Sequence, residues 1–166
     1  MKLESLDFDK LKYTENLLSN HNKSSGTFYK MINYNLDNLE LEFQTPKIII
    51  KEIVKEYNKE YLLLQFIHNK HSKSFYEKII ELEQIHQKNI KSTDLKSLID
   101  QDTITVKVPI RYSKPCLKII KDSELFNYYH LKPGMKIICK LSGNNIWFNE
   151  LHVPSYNLIV KEILIL

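Results

Sequence analysis

The chain of 166 residues contains no alanine, three glycines, two cysteines and one tryptophan. Three glycines are too few to build the glycine-rich loop with which many enzymes hold phosphates. Cys116 and Cys139 do not form a CxxC motif, and both lie in strand-like segments, where a buried thiol is the usual state. The sequence therefore predicts free thiols in a reducing compartment, with a disulfide between them left open as the alternative.

Long apolar runs are also missing. No segment approaches the roughly 20 apolar residues that a membrane-spanning helix needs. Residues 1–12 alternate in charge and have no apolar core, unlike a signal peptide. The composition, 43% hydrophobic and 27% charged, is typical of a globular chain. Its length suffices to bury a core without metal or disulfides. We therefore expect a globular protein that does not associate with membranes.

Motifs for catalysis are absent from the sequence. There is no GxSxG nucleophile elbow and no HExxH metal motif. His68 and His71 are three residues apart, but no other Cys/His pair has matching spacing, so we predict no metal site. Glu81 and Glu83 project from different faces of a predicted helix. These absences favour a protein that binds a partner, has no cofactor and is not an enzyme.

Most of the chain has the period-two pattern of strands with one buried face. In the clearest strand, Thr103–Arg111, apolar and polar residues alternate strictly. Pro109 interrupts its amide donors, which predicts a free edge or a bulge there. Residues 47–57 are ambiguous between a strand and a helical turn. Further strands are expected at 27–34, 39–44, 61–67, 117–120, 135–141, 146–148 and 157–166.

One main helix is predicted at residues 74–90. Ser74 and Glu77 have the spacing of a capping box, which places the start of the helix at Ser74. His86 lies on the apolar stripe of this helix, and we interpret it as a packed or hydrogen-bonded histidine that binds no metal. The other members of the stripe, at helical spacing, are Phe75, Ile79 and Leu82.

The order of elements is strands, one sizeable helix, then more strands. Because βαβ alternation is missing, a doubly wound parallel sheet is disfavoured. The order suits a mostly β fold with one main α-helix, an OB-fold-like small antiparallel barrel that is closed or partly open. Residues 1–25 are expected to form an N-terminal arm or short helix, with a loop at Ser19–Gly26. Residues 26–166 are expected to form the single barrel domain.

The net charge of +4 is unevenly distributed along the chain. Residues 1–100 are neutral overall, whereas residues 101–140 contain eight Lys or Arg against three Asp or Glu. A basic stripe on one face is the footprint of a protein that binds a polyanion. The alternative is that these lysines form an ordinary solvated face.

Basic residues on the polar faces of two predicted strands carry this excess. If those strands pair, the residues form one solvent-facing basic surface that suits a phosphate backbone. The predicted basic residues are Lys107, Arg111, Lys136 and Lys140, and Tyr112 and Lys114 extend the surface.

Aromatic residues near this surface could stack on unpaired bases, which contributes about 1–3 kcal/mol per base. The alternative is that they belong to the core, as most aromatics of a small barrel do. The candidates are Tyr112, Tyr128, Tyr129 and Trp147.

Four segments together resemble a family of nucleocytoplasmic large DNA virus proteins. They are Phe43–Pro46 (FQTP), the helix Phe75–Ile85, Thr105–Tyr112 (TVKVPIRY) and Ile137–Phe148 (IICKLSGNNIWF), and the final strand Tyr156–Ile163 follows them. That family is similar to podophage-type single-stranded DNA-binding proteins, which have an OB-fold with a helix in mid-barrel.

The resemblance implies non-catalytic binding of single-stranded DNA, with RNA left open, in viral replication, recombination or repair. Lys107, Arg111, Lys136 and Lys140 would contact the backbone, and Trp147 would stack on bases. The implied partners are other viral replication or virion proteins, and homo-oligomers are left open. The implied location is the cytoplasm or viral factory of the infected cell, or the virion.

The rival hypothesis is a structural virion protein, such as a minor capsid or scaffold component. The apolar C-terminal strand Leu158–Leu166 and the lack of the acidic tail found in the phage proteins favour it. Salt dependence separates the two hypotheses, because binding to DNA weakens steeply as salt rises and an apolar protein contact does not.

Overall fold

The computed structural model describes residues 1–17, 28–34 and 39–166. Within them lie sixteen strands, one α-helix and three 3-10 turns at Leu3–Ser5, Phe8–Lys10 and Tyr128–His130. The strands before the helix are β1 Leu11–Leu17, β2 Phe28–Tyr34, β3 Leu39–Glu40, β4 Glu42–Gln44, β5 Ile48–Glu56 and β6 Lys59–Phe66, and the helix α1 is Lys70–Ile90. The strands after it are β7 Ile99–Asp100, β8 Thr103–Val108, β9 Ile110–Arg111, β10 Lys114–Pro115, β11 Lys118–Lys121, β12 Glu124–Leu125, β13 Lys136–Ser142, β14 Asn145–Phe148, β15 Pro154–Tyr156 and β16 Ile159–Ile165.

Five strands close into a barrel. β5 pairs with β6, β6 with β8, β8 with β16, β16 with β13, and β13 returns to β5. If the five strands are numbered by their order in the chain, they follow one another around the barrel as first, second, third, fifth and fourth. The β8–β16 pairing is parallel and the others are antiparallel. The predicted OB-like, mostly β barrel with one helix is confirmed.

The period-two pattern of the sequence explains the barrel interior. Alternate residues of each barrel strand point inward and are buried, as Leu62, Leu64 and Phe66 of β6 show. The single strand predicted at Thr103–Arg111 is divided into β8 and β9 by Pro109, which lacks an amide donor. The ambiguous segment 47–57 forms strand β5. Two register shifts, after Ile50 in β5 and at Lys161 in β16 opposite Lys140 and Leu141, mark bulges of the kind that help strands bend around a barrel.

The two cysteines are free thiols, as predicted. Cys139 points into the barrel from β13 and is buried, and this burial raises the pKa of its thiol to about 12. Cys116 lies exposed between β10 and β11, so the expectation of a buried thiol in a strand is wrong for this residue.

Helix α1 begins at Lys70, four residues before the predicted start. The Asn69 side chain accepts a hydrogen bond from the Ser72 amide at 2.9 Å and caps the helix, so the predicted capping box at Ser74 is wrong. The apolar stripe is as predicted: Phe75, Ile79, Leu82 and His86 are buried. The helix ends at Ile90, where Lys91 takes a left-handed conformation.

The N-terminal residues form a docked arm, built from two 3-10 turns and strand β1, and not a helix. Leu3, Leu6 and Phe8 are buried in the same core as the barrel. Strand β1 starts a second sheet in the order β1, β2, β14, β15, with β3 also paired to β2. The predicted loop at Ser19–Gly26 and the boundary predicted after residue 25 lie outside the described residues.

The segment after β13 joins this second sheet to the barrel. The Gly143 amide donates to the carbonyl of Leu41 at 3.0 Å, and the Asn144 side chain accepts from the Leu41 amide at 2.9 Å. The Asn144 carbonyl accepts from the amide of Ile32 in β2 at 2.6 Å. The Leu-Ser-Gly element of the sequence is therefore a structural corner between the two sheets.

Candidate nucleic-acid interface

The two strands expected to form one basic surface do not pair. β8 and β13 are separated by β16, which pairs with both of them. The cause is the order of strands around the barrel, in which the fifth strand lies between the third and the fourth. The prediction that pairing would unite Lys107 and Arg111 with Lys136 and Lys140 is therefore wrong, and the predicted set divides into two groups.

Lys140 lies on the outer face of β13 in a surface of mixed charge. Its ammonium group forms an ion pair with Glu42 of the neighbouring β4. The hydrogen bond to Glu42 and the surrounding carboxylates raise the pKa of Lys140 above its usual value. Two further ion pairs on this face join Lys118 to Glu162 at 3.6 Å and Lys161 to Glu40 at 3.7 Å. The face therefore attracts a phosphate backbone only weakly.

Lys136 lies at the other end of β13, opposite Ile49 of β5. It is exposed and has no ion pair among the described residues. Ile49 is eight positions along β5 from the tip of the β5–β6 hairpin. Lys136 is thus separate from the other unpaired cations of the predicted set.

Lys107, Arg111, Tyr112 and Lys114 belong to one continuous segment. Lys107 is on the outer face of β8, opposite Tyr61 of β6, and both side chains are partly exposed. Arg111 and Lys114 face each other across the β9–β10 hairpin. Tyr112 forms the tip of this hairpin with Ser113 and is 99% exposed.

A second hairpin tip lies beside the first. Tyr57 and Asn58 connect β5 to β6, and Tyr57 is fully exposed. Both tips line one depression of about 340 Å³, which also contacts Glu60 and Ile110. We call Tyr57, Tyr112, Arg111 and Lys114 the tip cluster.

Sequence reasoning missed Tyr57. It closes the segment 47–57, whose secondary structure was ambiguous, so no turn was placed there. The nearest signal in the sequence is the adjacent Asn58, because asparagine is common in tight turns.

Backbone conformation adds information about these tips. Tyr57 has φ of 52° and Tyr112 has φ of 50°, both in the left-handed region. Glycine and asparagine favour this region, whereas a bulky side chain there costs about 1–2 kcal/mol. Residues held in such conformations concentrate at functional sites. Six other non-glycine residues of the described chain share this conformation, so the exposure of two tyrosine rings on adjoining turns is what marks the tip cluster as a candidate binding site.

The aromatic candidates at 128 and 129 differ from each other. Tyr128 is buried and donates a hydrogen bond to the Glu60 carboxylate at 2.6 Å, so of the two alternatives it belongs to the core and does not stack on a base. Burial, and then the hydrogen bond to Glu60, raise the pKa of Tyr128. Tyr129 is 60% exposed, and the Lys55 ammonium lies 5.6 Å from the centre of its ring.

Trp147 lies on the outer side of the second sheet and is 41% exposed, whereas its neighbours Ile146 and Phe148 are buried. Its strand β14 belongs to the connection between β13 and β16. Because β13 is antiparallel to β5, this connection leaves the barrel at the end opposite the β5–β6 tip. The Lys107 amide donates to the carbonyl of Leu158, at the end of the same connection, at 2.8 Å.

These positions match the regions that OB-folds use for ligands. Oligonucleotides and oligosaccharides bind to the face of the second and third strands, between the first hairpin loop and the connection of the last two strands. Here that face contains Tyr61 and Lys107, with the Tyr57 tip at one end and the Trp147 connection at the other.

Comparison with known proteins adds no relative. No protein-family model matches the chain, and no curated protein sequence matches it. The class of protein is therefore defined by its fold, a small OB-like barrel. In the described part of the chain, no helix is long and apolar enough to cross a membrane, and no cluster of three His, Cys, Asp or Glu side chains could hold a metal.

Proposed function

We propose that this protein binds single-stranded DNA without catalysing a reaction. The observation that carries the proposal is the tip cluster, in which two fully exposed tyrosines on adjoining hairpins line one depression. Arg111 and Lys114 pair with each other at the base of the Tyr112 turn. The tyrosine rings stack on unpaired bases, at about 1–3 kcal/mol per base, and the cations contact phosphates.

The strand would run from the tip cluster across the face of β6 and β8 toward Trp147. Lys107 supplies a cation on this face and Tyr61 a partly exposed ring beside it. Bases in a duplex are already stacked on each other, so an aromatic site of this kind favours single strands. From the resemblance to giant-virus proteins, the proposal also includes a role for this binding in viral replication or recombination.

The experiment measures fluorescence anisotropy of a labelled oligo-dT at about 50 mM and about 200 mM salt. The proposal predicts binding that weakens steeply with salt. The variant Arg111→Ala/Lys114→Ala should bind less tightly and show a shallower salt slope, because two phosphate contacts are lost.

The matched control is Lys136→Ala/Lys140→Ala, which removes the same two charges from β13. It should retain most of the affinity of the wild type. Equal losses in the two variants would indicate nonspecific attraction by net charge, and no binding at low salt would overturn the proposal.

A structural role in a virion is the second candidate. Leu151 is 81% and Val153 42% exposed in the turn after Trp147, and such apolar side chains can bind another protein. The apolar C-terminal segment supports this candidate only through its exposed Leu164 and Leu166, because Val160, Ile163 and Ile165 of barrel strand β16 fill the core. Self-association or protein binding that is insensitive to salt, without DNA binding, would favour it.

A further inference from the structure

The depression between the two hairpin tips has a polar side as well as an aromatic one. Tyr57 and Tyr112 line it, and so do Glu60 and Asn58, whose side chains end in a carboxylate and an amide. Stacking alone does not distinguish bases, because every base has an aromatic face. A carboxylate and an amide beside the rings can read the edge of a base by hydrogen bonding.

Glu60 is held in place by two neighbours. One carboxylate oxygen, Oε2, accepts the Tyr128 hydroxyl at 2.6 Å, and the other, Oε1, lies 3.9 Å from the Lys55 ammonium. Each oxygen of an ionised carboxylate has two acceptor positions, so both retain capacity for a further donor. The side chain is only 16% exposed, and partial removal from water strengthens a hydrogen bond to it.

The bases differ in what they offer to a carboxylate. Guanine has two adjacent donors on its Watson–Crick edge, N1–H and the N2 amino group, beside the acceptor O6. Thymine has one donor, and it lies between two carbonyl oxygens. These oxygens are negatively polarised, so a carboxylate repels them. Cytosine and adenine each have one amino group. A carboxylate that accepts two donors, with an amide that donates to O6, is therefore complementary to guanine.

We propose that this depression binds one unpaired guanine base, stacked against Tyr57 and Tyr112 with its Watson–Crick edge on Glu60 and Asn58. The inference rests on the proposed binding of single-stranded DNA and adds a base preference to it. The rest of the strand is bound without regard to sequence.

The test compares labelled oligonucleotides of about 15 thymidines, a length that one OB-fold can cover, with one central base replaced by guanine, inosine, cytosine or adenine. The wild type should bind the guanine oligonucleotide roughly fivefold or more tighter than all-thymidine, the low end for a paired base contact. Inosine lacks the N2 amino group and should recover only part of this gain, a comparison that needs no protein variant.

Two variants locate the effect. Glu60→Gln should reduce the ratio of guanine to thymine affinity to near one, because an amide cannot accept both donors. Glu56→Gln, on the same hairpin but outside the depression, removes the same charge and should change both affinities equally without altering the ratio.

The outcomes separate this inference from the proposed function. Salt-sensitive binding of all five oligonucleotides with equal affinity, or a preference for cytosine or adenine, would overturn the guanine site and leave DNA binding intact. No binding of any of them would overturn both.

Discussion

Gly143 shows how tightly single residues are packed in the corner between the two sheets. A Cβ atom added there would lie 2.0 Å from the Tyr156 hydroxyl oxygen and 2.9 Å from Cδ2 of Leu158. Both neighbours belong to buried residues. The glycine of the Leu-Ser-Gly element is therefore explained by close packing, and this structural role needs no contribution to binding.

Gly143→Ala should lower the free energy of unfolding by about 1–3 kcal/mol, because the added methyl group forces its neighbours to move. Urea denaturation measures the loss. The double variant Gly143→Ala/Tyr156→Phe removes the oxygen nearest to the new Cβ and should recover part of it. If Gly143→Ala unfolds at the urea concentration of the wild type, the packing of this corner is not as described.

His86 is a buried titratable residue at the junction of the helix and the second sheet. Its Nδ1 lies 2.7 Å from the Tyr13 hydroxyl, and its ring centre is 4.4 Å from that of Tyr156. Nε2 has no hydrogen-bond partner among the described residues. Desolvation lowers the pKa of His86 to about 3, so the native protein holds this histidine neutral.

Acid should therefore destabilise the fold through His86. The unfolded histidine takes up a proton below its ordinary pKa of about 6.5, whereas the folded one does not until about 3. The contribution of neutral His86 to the free energy of unfolding is fully present above pH 6.5. Between pH 6.5 and pH 3 it falls by at most about 1.4 kcal/mol per pH unit. In denaturation across this range, His86→Phe should show a flatter pH dependence than Tyr13→Phe, which keeps the histidine. Equal slopes in the two variants would contradict this account.

The hairpins are the elements in which stability and the proposed function oppose each other. Tyr112 and Ser113 both have positive φ, the conformation of a two-residue hairpin turn that asparagine and glycine favour. A tyrosine at this tip costs stability that a turn residue would not.

Tyr112→Asn should raise the free energy of unfolding by up to about 1 kcal/mol and weaken binding of oligo-dT. Ser113→Gly is the control, since it relaxes the same turn and keeps the ring. It should be stabilised without a loss of affinity. Thermal denaturation and anisotropy measure the two effects, and a Tyr112→Asn variant that binds as tightly as the wild type would exclude stacking by Tyr112.

At this scale, local patterns predicted the strands and the helical stripe well, because alternation and helical spacing are properties of neighbouring residues. The predicted start of the helix was wrong because two residues that can cap a helix, Asn69 and Ser74, lie close together. The choice between them depends on which side chain reaches a free amide, and this is fixed by the path of the chain that enters the helix.

The whole molecule is the scale at which the sequence was least informative. The order of elements in the sequence was enough to predict the OB-like class. It was not enough to predict that β16 lies between β8 and β13, because this depends on pairing between strands that are distant in the sequence. The ion pair of Lys140 with Glu42 likewise joins residues far apart in the sequence. The residues of the predicted basic surface are therefore divided between two parts of the molecule. Arg111, Tyr112 and Lys114 remain neighbours because one hairpin contains all three.

Barrel closure also brings together two tips that are far apart in the sequence, at Tyr57 and at Tyr112. Their proximity gives the proposed site its two rings, which neither hairpin supplies alone. The central claim is that these rings bind unpaired bases.

The most direct test is the affinity of the variant Tyr57→Ala/Tyr112→Ala for labelled oligo-dT at low salt, beside Leu125→Ala/Leu151→Ala, which removes two other exposed apolar side chains. With two stacked bases lost, the affinity of the tyrosine variant should fall about thirtyfold or more below that of the wild type, whereas the leucine variant should bind as the wild type does. Equal affinity of the tyrosine variant and the wild type, or no binding by the wild type, would contradict the account.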